Sequence, residues 1–146
     1  MSWDKTKTVP ANEILVEVTN ETVIFAKEFG AYLGKDEKKF DARFGREKNS
    51  EKKLTTNQLR KFFGEVKRQQ MVGYKETDFV LLKPKLAYAV GRADQNSKIK
   101  DFYYVMSNAI DLVSNEHQFK NFIKVFEAIV AYHKAQEAGV LDSEDE

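Results

Sequence analysis

Cysteine is absent from this 146-residue chain, and proline and histidine occur only twice each. Without thiols there can be no disulfide scaffold, thiolate nucleophile or cysteine-ligated zinc site. The two imidazoles, His117 and His133, are 16 residues apart, so a His-Glu-x-x-His zinc motif is missing. A phosphate-binding glycine loop and a nucleophile elbow are missing too. No catalytic residue, metal or cofactor is therefore expected. His133 follows Ile129 by four residues and Phe126 by seven, so it continues an apolar stripe as a hydrogen-bonded histidine at a core edge. Glu127 can pair with Lys120, Lys124 or Lys134 at helical spacing. No apolar run approaches the roughly 20 residues of a membrane span, and Met1 to Lys7 lacks a signal-peptide segment. The expectation is a cytoplasmic protein with no membrane partner.

What is present is a single domain's worth of chain with 42% hydrophobic and 32% charged residues, a globular composition. The formal net charge of +1 conceals an uneven distribution. Four of the 23 acids, Asp142, Glu144, Asp145 and Glu146, fall in the last five residues. Between Lys35 and Arg68, 12 of the 24 cations face only six acids, a local excess that attracts polyanions and is also found in solvated linkers.

Apolar periodicity predicts an all-α fold, a compact bundle of about five helices. The first dozen residues are polar and expected to be mobile. A first helix runs from Asn12 or Asn20 to Leu33 and stops at Gly34, although Ile14-Val16-Val18 also alternates like a strand. Residues 35–53 read as a charged loop or linker. Pro84 predicts a kink or a fresh start after Phe79-Val80-Leu81-Leu82. Residues 97–113 form the cleanest stripe, with Ser97 as cap and Ile99, Phe102, Tyr103, Met106, Ala109, Ile110 and Val113 on one side. A last helix, about 117–138, ends at Gly139. This divides the chain into an N-terminal helix and linker (1–53), a helical core (54–139) and an acidic tail (140–146) that leaves the fold.

The stretch Leu54–Met71 carries the clearest two-faced helix. Thr55 or Thr56 caps it. Leu59, Phe62, Phe63 and Val66 make its apolar stripe, while Arg60 with Lys67 and Lys61 with Arg68 form two basic columns seven residues apart. Gly64 costs such a helix about 1 kcal/mol relative to Ala. It either admits another backbone or lets a second helix pack close. Lys83, Lys85 and Arg92 flank the Pro84 break, and Lys98 and Lys100 follow on what reads as a solvated face.

Three segments, Leu-Thr-Thr-Asn-Gln-Leu-Arg-Lys (54–61), Leu-Lys-Pro-Lys-Leu-Ala-Tyr-Ala-Val-Gly-Arg (82–92) and Phe-Lys-Asn-Phe-Ile-Lys-Val-Phe-Glu-Ala-Ile-Val-Ala-Tyr-His-Lys (119–134), together resemble the small helical subunit of type III-A CRISPR–Cas effector complexes. The resemblance covers about Leu54 to Ala138. It implies a non-catalytic subunit of an antiviral ribonucleoprotein, stacked in several copies beside the backbone subunits. Its partners would be guide RNA, target RNA, other subunits and further copies of itself. By this resemblance Arg60, Lys61, Lys83, Lys85 and Arg92 are the first candidates for RNA contact. Lys52, Lys53, Lys67 and Arg68 follow on charge and position, while Leu59, Phe63, Leu86, Tyr88, Phe122 and Phe126 read as core. The alternative is a purely protein-binding helical scaffold without direct RNA contact.

Overall fold

The structure, a computed structural model, describes residues 3–41, 43 and 45–141, with residues 38–41 and 46–50 described by backbone alone. The fold is all-α as expected. Five helices of 11 residues or more carry it: α2 (Asn20–Leu33), α3 (Thr56–Val72), α5 (Leu82–Arg92), α6 (Ile99–Asp111) and α7 (Glu116–Glu137). Two short helices, α1 (Ala11–Leu15) and α4 (Glu76–Val80), precede α2 and α5. The tail expected to leave the fold from residue 140 does not do so at its start, since Leu141 is buried; residues 142–146 lie outside the described residues.

Buried Glu13 of α1 shows why the first helical region is split in two. Its carboxylate accepts from the backbone amides and hydroxyls of Thr19 and Thr22, at 2.7 to 2.9 Å. It thereby caps α2 from a neighbouring helix, satisfying N–H groups that have no partner inside α2. Burial alone would raise its pKa, but the Thr22 and Thr19 donors outweigh that and hold it below the usual glutamate value.

α7 is the central element. α2 lies so close to it that a Cβ on Gly30 would sit 2.7 Å from Tyr132 Cβ and 2.9 Å from the His133 amide nitrogen. Gly34 does end α2, but with φ −87° rather than a left-handed turn. A side chain there would meet the His133 carbonyl at 2.8 Å, so close packing requires this glycine. His133 is fully buried, and its Nε2 bonds the Leu54 carbonyl at 2.6 Å, tying α7 to the residue just before the α3 N-cap. Phe62 of α3 stands edge-on to Phe102 of α6 (5.5 Å) and Phe126 of α7 (5.3 Å), closing the core.

Three further expectations are corrected. The first dozen residues, expected to be mobile, are anchored from residue 3 on, because Trp3 is 8% exposed and packs on Phe25, Phe29 and Tyr32. The charged stretch 35–53 holds an antiparallel hairpin, β1 (Glu37–Asp41) with β2 (Arg46–Glu51), turning at Gly45 in the left-handed region. Lys98 is not on a solvated face: it is 1% exposed and donates to the carbonyls of Tyr32 and Lys35, both at 2.7 Å. Its ammonium covers the last turn of α2, where the helix dipole favours a cation, and lies 4.0 Å from the Tyr32 ring centroid. Burial lowers its pKa against the opposing pull of Glu37.

Candidate nucleic-acid interface

The interface begins with how α3 starts. The Thr55 hydroxyl accepts from the Gln58 amide (3.1 Å), while the Gln58 side chain accepts from the Thr55 amide (2.9 Å). This reciprocal cap settles the choice between Thr55 and Thr56 and fixes the register of every later residue. Leu59, Phe62 and Val66 then point inward, and the two basic columns run side by side, about 100° apart, on the rest of the helix surface.

The side bearing Lys61, Glu65 and Arg68 faces α5. Pro84 stands in the first turn of α5, which begins at Leu82 after a break at Leu81, so the fresh start expected near this proline occurs just before it. Between the two helices runs a groove of about 510 Å³. Phe62, Leu82 and Leu86 form its apolar floor, and Lys61, Lys85 and Arg92 its cationic rim. Tyr88 also lines it and is 67% exposed. The expectation of a core tyrosine is thus corrected: Leu86 takes the inward position of this turn, and Tyr88, two residues on, points away. The Arg92 guanidinium lies over the Tyr88 ring at 5.6 Å, a cation–π arrangement that keeps both groups at the groove edge.

Charge pairing sorts the nine candidate cations. Among the described residues Arg60, Lys61 and Arg92 form no ion pair, and all three are exposed. Lys85 (3.0 Å) and Arg68 (2.7 Å) share the carboxylate of Glu65, which also accepts from Gln69. The Arg68 bond above all, then Lys85 and Gln69, outweigh burial and bring Glu65 down to about 2. Lys83 is drawn to Asp111 (2.7 Å), Lys52 to Asp94 (2.8 Å) and Lys53 to Glu137 (3.4 Å). Lys67 turns the other way and pairs with Glu127 of α7, so Glu127 answers α3, while Lys120 pairs with Glu116 at 3.9 Å. Lys52 and Lys100 line a second cleft, beyond the α5–α6 turn, of about 630 Å³. The pairs exposed on both sides, Lys52–Asp94, Lys83–Asp111 and Lys67–Glu127, are worth about 0 to 1 kcal/mol each and can be exchanged for phosphate contacts at little cost.

Gly64 faces open space, with no atom within 4 Å of the place a Cβ would take, so among the described residues no helix packs against it. His117 is exposed and bonds the Val16 carbonyl at 2.7 Å, and His133 is buried in the core. Among the described residues no group of three or more His, Asp or Glu side chains is placed to hold a metal ion, and no helix is long and apolar enough to cross a membrane.

A family model described as Csm2 Type III-A matches residues 31–138. The chain belongs to this family. The match spans the end of α2, the hairpin and α3 to α7, and so begins well before Leu54, where the sequence resemblance starts. Membership makes the chain a small subunit of the type III-A effector complex, with the other subunits of that complex as partners. Neither the curated proteins nor the solved structures gave a match. The α3–α5 groove therefore has to be interpreted from its own chemistry and from the Csm2 family as a whole.

Proposed function

We propose that this Csm2-family subunit contacts guide and target RNA through the α3–α5 groove, without catalysing a reaction, in repeated copies along the backbone of the type III-A complex. The observation that carries the reading is the convergence of Lys61, Lys85 and Arg92 around one groove beside an exposed Tyr88. Cations on two rigid helices suit an RNA backbone, whose affinity comes largely from neutralised phosphates. The aromatic edge suits an unstacked base, since stacking tolerates any base. Sequence is then read by pairing between the two RNA strands, and the subunit senses backbone and shape.

Lys61, Arg92 and Arg60 lead the assignment because no acid among the described residues neutralises them; Lys85 joins once a phosphate replaces Glu65. Lys83, Lys52, Lys53, Lys67 and Arg68 are held by acids and rank behind. The protein-binding scaffold reading has its own support at the α3–α4 corner, where Met71 (88% exposed), Val72, Val80 and Leu81 face outward. An apolar patch of this kind suits a neighbouring subunit. The groove and the corner can serve RNA and protein separately.

Photo-crosslinking tests the RNA assignment. In a fully assembled complex loaded with 4-thiouridine-bearing RNA, adducts should map to peptides carrying Lys61 and Tyr88. Adducts restricted to other faces of the subunit, or none on it at all, would contradict the assignment.

A further inference from the structure

We infer that Gly64 is the floor of a second RNA contact, a notch on the outer face of α3 where a phosphate backbone lies directly against the helix main chain. Gly64 is the middle residue of this 17-residue helix, where glycine is the poorest helix former after proline. Two needs commonly justify a glycine, a left-handed backbone and close packing. Gly64 meets neither: its φ is not positive, and among the described residues no atom lies within 4 Å of the place a Cβ would take. Close approach from outside the chain accounts for it.

The surrounding charge says what approaches. On a helix surface the nearest neighbours of a residue are three and four positions away. For Gly64 these are Arg60, Lys61, Lys67 and Arg68, and all four are cations. At about 100° per residue, Arg60 and Lys67 flank Gly64 by about 40° to 60° on one side and Lys61 and Arg68 by the same on the other. The glycine therefore lies on the seam between the two basic columns, opposite buried Leu59, Phe62 and Val66. Without a Cβ, a phosphodiester chain can sink between the columns and meet both. Arg60 and Lys61 are exposed and form no ion pair among the described residues. Lys67 holds Glu127 through a pair that is exposed on both sides. Arg68 is 54% exposed and gives Glu65 only its Nε and one terminal nitrogen, which leaves donors for a phosphate. The notch rests on the same RNA reading as the groove and shares Lys61 with it.

Assembled complexes carrying Gly64→Ala or Gly64→Gln test this, beside a groove pair that leaves the notch intact, Lys85→Gln/Arg92→Gln. Gly64→Ala should weaken RNA retention about 2- to 5-fold, the worth of one exposed charge contact, and Gly64→Gln should weaken it further. Both should raise the Tm of the free subunit, because Ala and Gln are better helix formers than Gly. A gain in stability joined to a loss in binding is a result that a purely structural glycine does not give. In an Arg60→Gln/Lys67→Gln background the Gly64→Ala loss should shrink, since fewer contacts are left to disrupt; an undiminished loss there would overturn the notch. Parent-like retention in both Gly64 variants with a weakened groove pair would overturn the notch and leave the groove standing. Parent-like retention in all three would overturn both. Loss confined to the Gly64 variants would uphold the notch and sink the groove. Gly64 variants that fold but fail to assemble would place a protein on this face and overturn the notch.

Discussion

Glu65 sets the charge balance of the groove, because one carboxylate neutralises both Lys85 and Arg68. With a folded pKa near 2, it is ionised throughout the working pH range. Glu65→Gln should release both cations, so the variant should bind RNA more tightly, with a salt slope steeper by about 1 to 2; filter binding across a salt series measures this. Glu13 gives a pH prediction. Its folded pKa lies below the usual 4.5, so its stabilisation is complete above about that pH and is lost as the pH falls below it. Glu13→Gln should cost about 1 to 3 kcal/mol near neutrality, and the gap in Tm from the parent should narrow progressively below pH 4.5. Lys98→Ala should also cost about 1 to 3 kcal/mol, read by urea denaturation, because it strips the carbonyls of Tyr32 and Lys35 of their donor. Single residues were the hardest level to read from sequence. Tyr88 lies among apolar residues and reads as core, and Lys98 lies among cations and reads as surface. Only the packing of α5 against α3, and of the α6 start against the end of α2, reverses each.

At the level of elements the helices were legible because each carries its own punctuation. Thr55 with Gln58 opens α3, Pro84 sits in the first turn of α5, and Gly139, with φ +79°, follows α7. The hairpin was not legible. Its ladder is made by the backbone of a charged segment without alternating apolar residues, and the hydroxyl of Tyr32, 3.0 Å from Glu51, ties it to α2. The tie of the N-terminal segment was hidden for a similar reason, since it depends mainly on Trp3. Two glycines test the element-level account in opposite directions. Gly30→Ala forces a methyl into the backbone of α7 and should cost about 1 to 3 kcal/mol. Gly64→Ala meets open space and should stabilise the free subunit by up to about 1 kcal/mol. Thermal melts of the two variants should therefore move to opposite sides of the parent.

For the molecule as a whole, the sequence supplied the cations but not their grouping. Nine candidates, five from the resemblance and four on charge and position, become three without acidic partners among the described residues (Arg60, Lys61 and Arg92), and Lys61 and Arg92 share a groove with Lys85 and Tyr88. The grouping depends on which neighbour reaches each lysine first: Asp111 for Lys83, Glu127 for Lys67, Asp94 for Lys52. None of these pairs follows from helical spacing along one element. Family membership supplies the complex in which the groove must work, and the groove supplies a specific claim about which residues face the RNA. The most direct test is the salt dependence of RNA retention by assembled complexes carrying Lys61→Gln/Arg92→Gln, set against Lys75→Gln/Lys124→Gln at exposed positions outside the groove. The predicted result is intact assembly, weaker retention for the groove pair alone, and a log–log slope reduced by about 0.7 to 0.9 for each phosphate that is no longer neutralised. Equal retention and equal slopes for the two pairs would contradict it.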